Sequence, residues 1–369
     1  MNERRYDIHG LVEVLITPDV RPELIREIEF QIGSFRGDGP ARQGPGVRIL
    51  IQPYAQFRNL DVGGEPAAVF YNTHGVVDSF IEDESNRLVV CRDEEGFRIY
   101  ADYANVLINL YIQFLISRQG FGLVHAAAYK HAGGGVTVLA GAGGIGKTAV
   151  LGYAVRERGL QQLGDDLVIA SADGRCLSFP RAFVLKSYHR EGYADTFRQL
   201  KLPKWNLYAL KRFLIDNAPF VGVSKSFLRR TGLYYKVADL LRPQPFLATV
   251  SPEQLFGEGS TAASGDIARI AYLDRVKSPR FSIRTLEPGT LVNRLFSVIH
   301  YEWKDFLTHV ISLGSLAVID LPTYFGHVRQ NLSAAVEGKE LLQIDIPEGA
   351  TPEELVSFLD AHGFFSESS

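Results

Sequence analysis

The residues best suited to chemistry are the run Gly-Ala-Gly-Gly-Ile-Gly-Lys-Thr at positions 141–148. It matches the phosphate-loop (P-loop, or Walker A) pattern G-x-x-x-x-G-K-[ST]. Glycines let a backbone curl so that successive N–H groups point at phosphate oxygens. As an exposed loop side chain, Lys147 is expected to reach the β- and γ-phosphates, with the Thr148 hydroxyl on Mg²⁺. The pattern predicts binding of ATP with Mg²⁺ by Gly141, Ala142, Gly143, Gly144, Ile145, Gly146, Lys147, Thr148 and Ala149.

The flanking segments have the order that such a loop requires. Residues 136–140 are apolar and β-branched, which predicts a buried strand. Residues 148–158 have a helical pattern, and Gly159 is typical of a helix end. A strand, loop and helix in this order place the positive end of the helix dipole at the loop.

Two adjacent carboxylates, Asp165 and Asp166, lie one helix and a short loop farther on, at the start of another apolar segment. A carboxylate near a nucleotide can ligate Mg²⁺ or accept the proton of an attacking hydroxyl. An aspartate-rich turn before a strand is the structural alternative. Because the pair follows a phosphate loop, a role in Mg²⁺ binding or proton transfer is favoured over a turn.

These segments together resemble the catalytic domain of the HPr kinase/phosphorylase family. The resemblance includes His125 before the alanines 126–128, the 141–148 loop, a helix ending in Arg158 and Gly159, and Asp165 with Asp166. It continues more weakly at 272–275 and 319–322.

The resemblance implies an α/β fold with a compact P-loop kinase core of the HPr kinase/phosphoenolpyruvate carboxykinase-like type. It implies that Asp165 accepts a proton, that Asp166 and Thr148 lie near the metal, that Lys147 holds phosphate, and that His125 lies at the edge of the site.

The sequence also departs from that family. Ala149 stands where HPr kinases carry a glutamate, and residues 176–181 replace their glycine-rich signature after the aspartate pair. The resemblance therefore implies kinase chemistry, but neither HPr as the substrate nor the reverse phosphorolysis.

Composition is that of an ordinary globular protein. Cys91 and Cys176 are the two cysteines, which favours a reducing, cytoplasmic compartment over a disulfide framework. The first residues lack the apolar core of a signal peptide, and no apolar run is long enough to span a membrane. A net charge of −3 argues against a general nucleic-acid partner. A homo-oligomer is left open.

The chain is expected to contain three parts. Residues 1–103 read as an N-terminal α+β lobe with strands over 9–16, 47–51, 87–91 and 97–100 and a helix over 22–32. Residues 104–337 form the kinase-like core, which a buried helix over 102–118 connects to the lobe. Residues 338–369 read as a C-terminal βα appendage, with Thr351 capping its helix.

The segment 181–242 is basic and rich in aromatic residues, with thirteen Lys and Arg against four acidic side chains. As an insertion in the core, it is suited to bind a phosphate acceptor, with Lys186, Arg229 and Arg230 as candidates. A helical excursion with a solvated basic face explains the composition equally well.

Residues 289–312 read as a helix whose His300, Glu302 and His309 serve packing or lie on the surface.

The sequence leaves two candidate functions for the chain. One is an ATP-dependent kinase that phosphorylates a hydroxyl of a small metabolite or a peptide serine. The other is a regulatory switch that binds and slowly hydrolyses ATP without a dedicated acceptor. An aspartate pair aimed at an acceptor distinguishes the first from the second.

Overall fold

The computed structural model describes residues 3–37, 47–58, 71–72, 80–83, 87–93, 96–103, 108–185, 198, 248–303, 307–315 and 318–366. The described chain is a mixed α/β protein with two mixed sheets and a small antiparallel ribbon. It groups into one compact unit of Met1–Ala182 with Pro252–Ser369 and a second unit of Phe183–Ser251. The acceptor candidates Lys186, Arg229 and Arg230 lie outside the described residues. No described helix is long and apolar enough to cross a membrane.

The first sheet carries the N-terminal lobe. Its elements are β1 (Arg4–Ile8), β2 (Val12–Ile16), α1 (Pro22–Ile32), a 3₁₀ turn (Gly33–Phe35), β3 (Arg36–Gly37), β4 (Arg48–Gln52), α2 (Tyr54–Arg58), β5 (Tyr71–Asn72), β6 (Phe80–Asp83), β7 (Leu88–Asp93) and β8 (Gly96–Ala101). The strand order is β3-β1-β2-β4-β8-β7-β6-β5. Strands β2, β4 and β8 are parallel neighbours, and the other pairs are antiparallel.

Helix α1 begins and ends where the sequence predicts. Pro22 occupies its first turn, where the missing N–H costs nothing, and Gly33 follows its last residue. Its apolar residues recur every three or four positions and are buried, namely Leu24, Ile25, Ile28 and Ile32. The α+β character expected for this lobe is therefore present in its described residues.

The second sheet carries the core. The elements of this part of the first unit are α3 (Ile108–Ser117), β9 (Phe121–Val124), β10 (Ala126–Lys130), β11 (Gly135–Ala140), α4 (Lys147–Arg156), β12 (Gln161–Gly164), β13 (Val168–Ser171), β14 (Arg175–Leu177), α5 (Pro252–Phe256), β17 (Ser264–Val276), β18 (Ser282–Thr285), α6 (Pro288–Glu302), α7 (Leu307–Ser315), α8 (Leu321–Val336), β19 (Glu340–Pro347) and α9 (Pro352–Ala361). The second unit contains the ribbon of β15 (Phe183–Leu185) and β16 (Ala248–Val250).

Helix α3 joins the two sheets. Nine of its ten residues are buried, as expected for a helix that packs on more than one side. Its described residues run from Ile108, and Asp102 and Tyr103, which the sequence places in this helix, form a bend. Its buried side chains belong to one apolar core that extends from the first sheet into the second.

The second sheet must curl because of its connections. Its main path is β12-β10-β11-β17-β14-β13-β9, with β19 pairing β17 and β18. His125 alone joins β9, at one end of this path, to β10 near the other end. Residues 165–167 likewise join β12 to β13. Two ends of a sheet can be linked by so few residues only if the sheet is bent round.

The C-terminal segment is an inner part of this sheet. Strand β19 pairs in parallel with β17 over eight residues and antiparallel with β18. Helix α9 follows with the Thr351 cap, where a complete capping box with Glu354 is present. A local βα pattern does not specify which strand it pairs with, so the pairing of β19 with β17 could not be predicted from the sequence.

The helix expected over 289–312 is divided. Helix α6 ends at Glu302, and α7 begins at Leu307. The backbone of Trp303 has left the helical region, at φ −95° and ψ 11°. Apolar periodicity continues across this interruption, which is why the sequence alone predicts one helix.

A substitution at Ile344 tests whether β19 belongs to the core. Its side chain is completely buried, so Ile344→Ala should lower the free energy of unfolding by about 2–5 kcal/mol through lost burial and a cavity. Urea denaturation followed by circular dichroism measures this. The matched control is Ile311→Ala, whose isoleucine is 60% exposed and which should cost less than about 0.5 kcal/mol. An unchanged main transition for Ile344→Ala would mean that the C-terminal segment folds separately.

Candidate functional site

The glycine-rich loop closes tightly between β11 and α4. Gly141, Gly144 and Gly146 have φ values of 149°, 77° and 111°, a region that disfavours residues with a Cβ. A Cβ at Gly141 would lie 2.7 Å from the Leu273 carbonyl oxygen of β17. The strand, loop and helix predicted here are confirmed, and the glycines allow the loop to approach the neighbouring strand.

Lys147 is buried inside this loop. Its Nζ donates to the carbonyl oxygens of Gly141 at 2.6 Å and Ala142 at 2.9 Å. It also lies 3.2 Å from Nε2 of His125. Only 6% of the residue is exposed, so the expectation of an exposed loop lysine is wrong. Burial lowers the pKa of Lys147, and the nearby carboxylates of Asp166 and Asp165 oppose that shift.

Asp165 lies against the end of the loop. The Thr148 hydroxyl donates to its Oδ2 at 3.0 Å. Its other oxygen, Oδ1, is buried and has no hydrogen-bond partner among the described residues. Burial, with the charge of Asp166 adding to it, raises the pKa of Asp165 to about 7, against the opposing effects of the Thr148 bond and Lys147.

Asp166 has the opposite environment. It forms an ion pair with Arg181 and lies 3.5 Å from Nδ1 of His125. Burial alone would raise its pKa, but Arg181, followed by His125 and Lys147, outweighs burial and holds the pKa below its ordinary value. Its side chain remains 39% exposed, so it lies at the mouth of the site.

His125 links the two halves of this cluster. Lys147 donates toward Nε2, which assigns the ring proton to Nδ1, on the side of Asp166. Burial lowers the pKa of His125, while Asp166 raises it and Lys147 lowers it further. A neutral histidine thus lies between the loop lysine and the exposed carboxylate.

Two site residues were missed by reasoning from sequence. Glu302, at the end of α6, has Oε1 3.9 Å from Nε2 of His125 and 3.7 Å from the Cβ position of Gly143. From the sequence, Glu302 was interpreted as a packing or surface residue, and no local pattern indicates that it belongs to a site. Arg181 was counted in the basic segment, and nothing in its neighbourhood indicates that it pairs with Asp166.

Arg181 is held by the N-terminal lobe. Its guanidinium lies over the ring of Phe30 in α1, 4.7 Å from the centroid. The backbone before it is tied to the same lobe, since the Ser34 hydroxyl donates to the Pro180 carbonyl at 2.5 Å and His9 bonds the Ser178 carbonyl at 2.7 Å. The first sheet therefore positions a charged side chain of the candidate site.

The oxygen atoms at this point fit a hard cation. Thr148 Oγ1 and the unpartnered Oδ1 of Asp165 are oxygen donors of the kind that Mg²⁺ takes. Thr148 contacts Asp165 rather than Asp166, the expected metal partner, because Asp166 is drawn to Arg181 and His125. In the described part of the chain, no group of three or more His, Cys, Asp and Glu side chains is arranged so that it could hold a metal ion by itself.

The described chain is thus a mixed α/β protein with a glycine-rich loop between a strand and a helix. No family model and no curated protein matches it. Among solved structures it is similar to the Hpr(Ser) kinase/phosphatase from Coxiella burnetii, with a TM-score of 0.28 and 10% identity over 67% of this chain and 99% of that chain. This similarity is distant and concerns the fold alone.

Asp165→Asn should stabilise the protein more at high pH than at low pH. The folded state binds the Asp165 proton more tightly than the unfolded chain does, so its contribution to stability is present below about pH 4 and is lost as pH rises through about 7. Asparagine cannot ionise but still accepts from Thr148. Thermal unfolding in metal-free buffer should show a gain in Tm over wild type that is about 3 °C or more larger at about pH 9 than at about pH 5.

The exposed Glu258 provides the control for this measurement. Glu258→Gln should change Tm by the same small amount at both pH values. An equal effect of Asp165→Asn at the two values would contradict the raised pKa.

Proposed function

We propose that this chain is an ATP-dependent kinase that transfers the γ-phosphate to a hydroxyl of a small metabolite or of a peptide or protein serine. The observation that supports this most directly is the Asp165 carboxyl, which accepts from the Thr148 hydroxyl at the end of the glycine-rich loop and has a pKa of about 7. A base is most effective when its pKa lies near the working pH.

The loop and Lys147 would bind the nucleotide. Backbone N–H groups of residues 141–148 would hold the phosphate oxygens, at the N-terminus of α4. Lys147 would exchange its bonds to the Gly141 and Ala142 carbonyls for bonds to phosphate, which offsets charge on the transferring group. Mg²⁺, when bound by Thr148 and Asp166, would supply further neutralisation of phosphate charge.

Transfer would follow from the position of Asp165. The ionised carboxylate takes the proton of the acceptor hydroxyl as the acceptor oxygen bonds to the γ-phosphorus. The bond from that phosphorus to the β–γ bridging oxygen breaks, and ADP carries away the electron pair. Arg181 keeps Asp166 ionised, and the negative charge of Asp166 contributes to the raised pKa of Asp165.

The alternative is a regulatory switch that binds and hydrolyses ATP without a dedicated acceptor. The burial of Asp165 Oδ1 favours it, since an acceptor hydroxyl needs access to the base. Incubation with labelled ATP and libraries of metabolites and peptides, followed by mass spectrometry, separates the two. A labelled metabolite or peptide supports the kinase. Release of inorganic phosphate with no labelled acceptor supports the switch.

Variants of the two aspartates test their roles. Asp165→Asn should bind MgATP with near-normal affinity in calorimetry, while phosphate transfer falls by about 10²–10⁴-fold through loss of the base. Asp166→Asn, if this residue is the metal partner, should instead weaken Mg²⁺-dependent ATP binding, with partial rescue by more Mg²⁺.

The loop lysine can be tested separately. Lys147→Met, which keeps the apolar stem, should lose productive use of ATP.

Other results of these experiments would contradict the assigned roles. Loss of MgATP binding in Asp165→Asn with retention in Asp166→Asn would exchange the two roles, as the contact between Thr148 and Asp165 also suggests. Normal transfer in both aspartate variants would reject the mechanism. Circular dichroism of each variant checks that the fold is retained, which matters most for the buried Lys147.

A further inference from the structure

A second candidate site lies on the same sheet edge as the glycine-rich loop. Strands β11, β17 and β19 are parallel neighbours, so their carboxyl ends meet at one edge. Strand β12, which precedes Asp165, runs in the same direction on the other side of β11, with β10 between them. The loop therefore has the aspartate pair on one side and the ends of β17 and β19 on the other.

The spacing suits an extended ligand. Neighbouring strands lie about 4.8 Å apart, so β17 and β19 lie about 5 and about 10 Å to the side of the loop strand. Both strands also continue beyond Tyr272, the partner of Ala140, as far as Val276 and Pro347. A nucleoside triphosphate bound by its phosphates at the loop extends over a comparable length to its base. The base would then lie away from Asp165, where the transferring phosphate must be.

An open cavity lies at the ends of β17 and β19. It has a volume of about 540 Å³ and is formed by the segment after β17, the segment after β19 and one side of α9. Its lining includes Arg280, Phe281, Gly349, Glu354 and Phe358. This volume lies in the range of sites that hold small organic ligands.

The walls of the cavity are attached to the loop region. Arg275, in β17, donates to the carbonyls of Glu348 at 2.8 Å and Ala350 at 3.2 Å, which holds the segment after β19 in place. In α9, Leu355 Cδ2 lies 3.1 Å from the Cβ position of Gly146, the last glycine of the loop. Helix α9 thus approaches the loop with Leu355 and lines the cavity with Glu354 and Phe358.

The chemistry of the lining suits a planar aromatic ring. Phe281 and Phe358 stack with centroids 4.8 Å apart and an interplanar angle of 19°. Both rings are half-buried, although apolar side chains of this size favour full burial. Arg280 is exposed beside them, and Glu354 is held by the N–H of Thr351 through Oε2. Aromatic rings stack on all bases, and an arginine adds a cation for a ring or phosphate.

We infer that this cavity is the nucleobase subsite of a nucleoside triphosphate, with the base against the Phe281–Phe358 pair and the phosphates at residues 141–148. The inference rests on the proposed function, because it assumes that the loop binds a nucleotide. It adds that the base contributes affinity and that a phosphate chain alone binds more weakly than ATP.

Calorimetry with ATP and with inorganic tripolyphosphate, each with Mg²⁺, tests the subsite on the full chain. Wild type should bind ATP more tightly than tripolyphosphate. Phe281→Ala should weaken ATP binding about tenfold, the effect of losing one stacking contact, and change tripolyphosphate binding by less than about twofold. Phe281→Leu, which keeps apolar bulk without a π face, should behave similarly and guards against a folding defect. The matched control is Tyr103→Ala, which removes another partly exposed aromatic residue and should leave both affinities unchanged.

The outcomes separate the subsite from the proposed function. Equal affinities for ATP and tripolyphosphate in wild type, or an unchanged ATP affinity in both Phe281 variants, would overturn the subsite and leave the phosphate loop intact. Equal losses for both ligands in a folded Phe281 variant would reduce Phe281 to a structural role and also overturn it. Failure of wild type to bind either ligand would overturn the proposed function together with the subsite.

Discussion

The site depends on the two crossings of the curled second sheet. The chain passes between the ends of the strand order at His125 and again at residues 165–167. The two crossings touch, since the Ala126 N–H donates to the Asp166 carbonyl at 3.2 Å. His125, Asp165 and Asp166 lie between strands, so strand geometry does not fix the direction of their side chains. All three are near Lys147. Pairing of β10 with β12 holds His125 and the aspartates together as well, because Ala128 lies opposite Gly164.

The first sheet contributes to the same cluster through one segment. Contacts from His9, Phe30 and Ser34 hold residues 178–182, and Arg181 extends from there to Asp166. The charge of Arg181 is the largest of those that lower the pKa of Asp166, so this support contributes to the charge state of that carboxyl. The N-terminal lobe thereby has a physical connection to the chemistry, in addition to the apolar core that it shares with the second sheet.

Local patterns predicted most of the elements but not the contacts between them. The glycine loop, α1 and the Thr351 cap depend on neighbours in sequence, and all three lie where the sequence indicates. Glu302 and Arg181 reach the site through the tertiary path of α6 and of residues 178–182, which leaves no mark on the sequence around them. The burial of Lys147 was missed for a related reason, because the loop carbonyls that bind it are backbone groups common to every sequence.

Asp165 and Asp166 show how neighbouring residues of one type acquire different properties. The ion pair with Arg181 keeps Asp166 ionised, and burial together with the negative charge of Asp166 makes ionisation of Asp165 costly. Environments that separate the pKa values of two carboxyls can assign one to hold charge and the other to exchange a proton. The unpartnered Oδ1 of Asp165 belongs to the same arrangement, since a buried acceptor without a donor lowers stability. A site that keeps such an oxygen is better suited to bind a proton or a cation than to strengthen a turn.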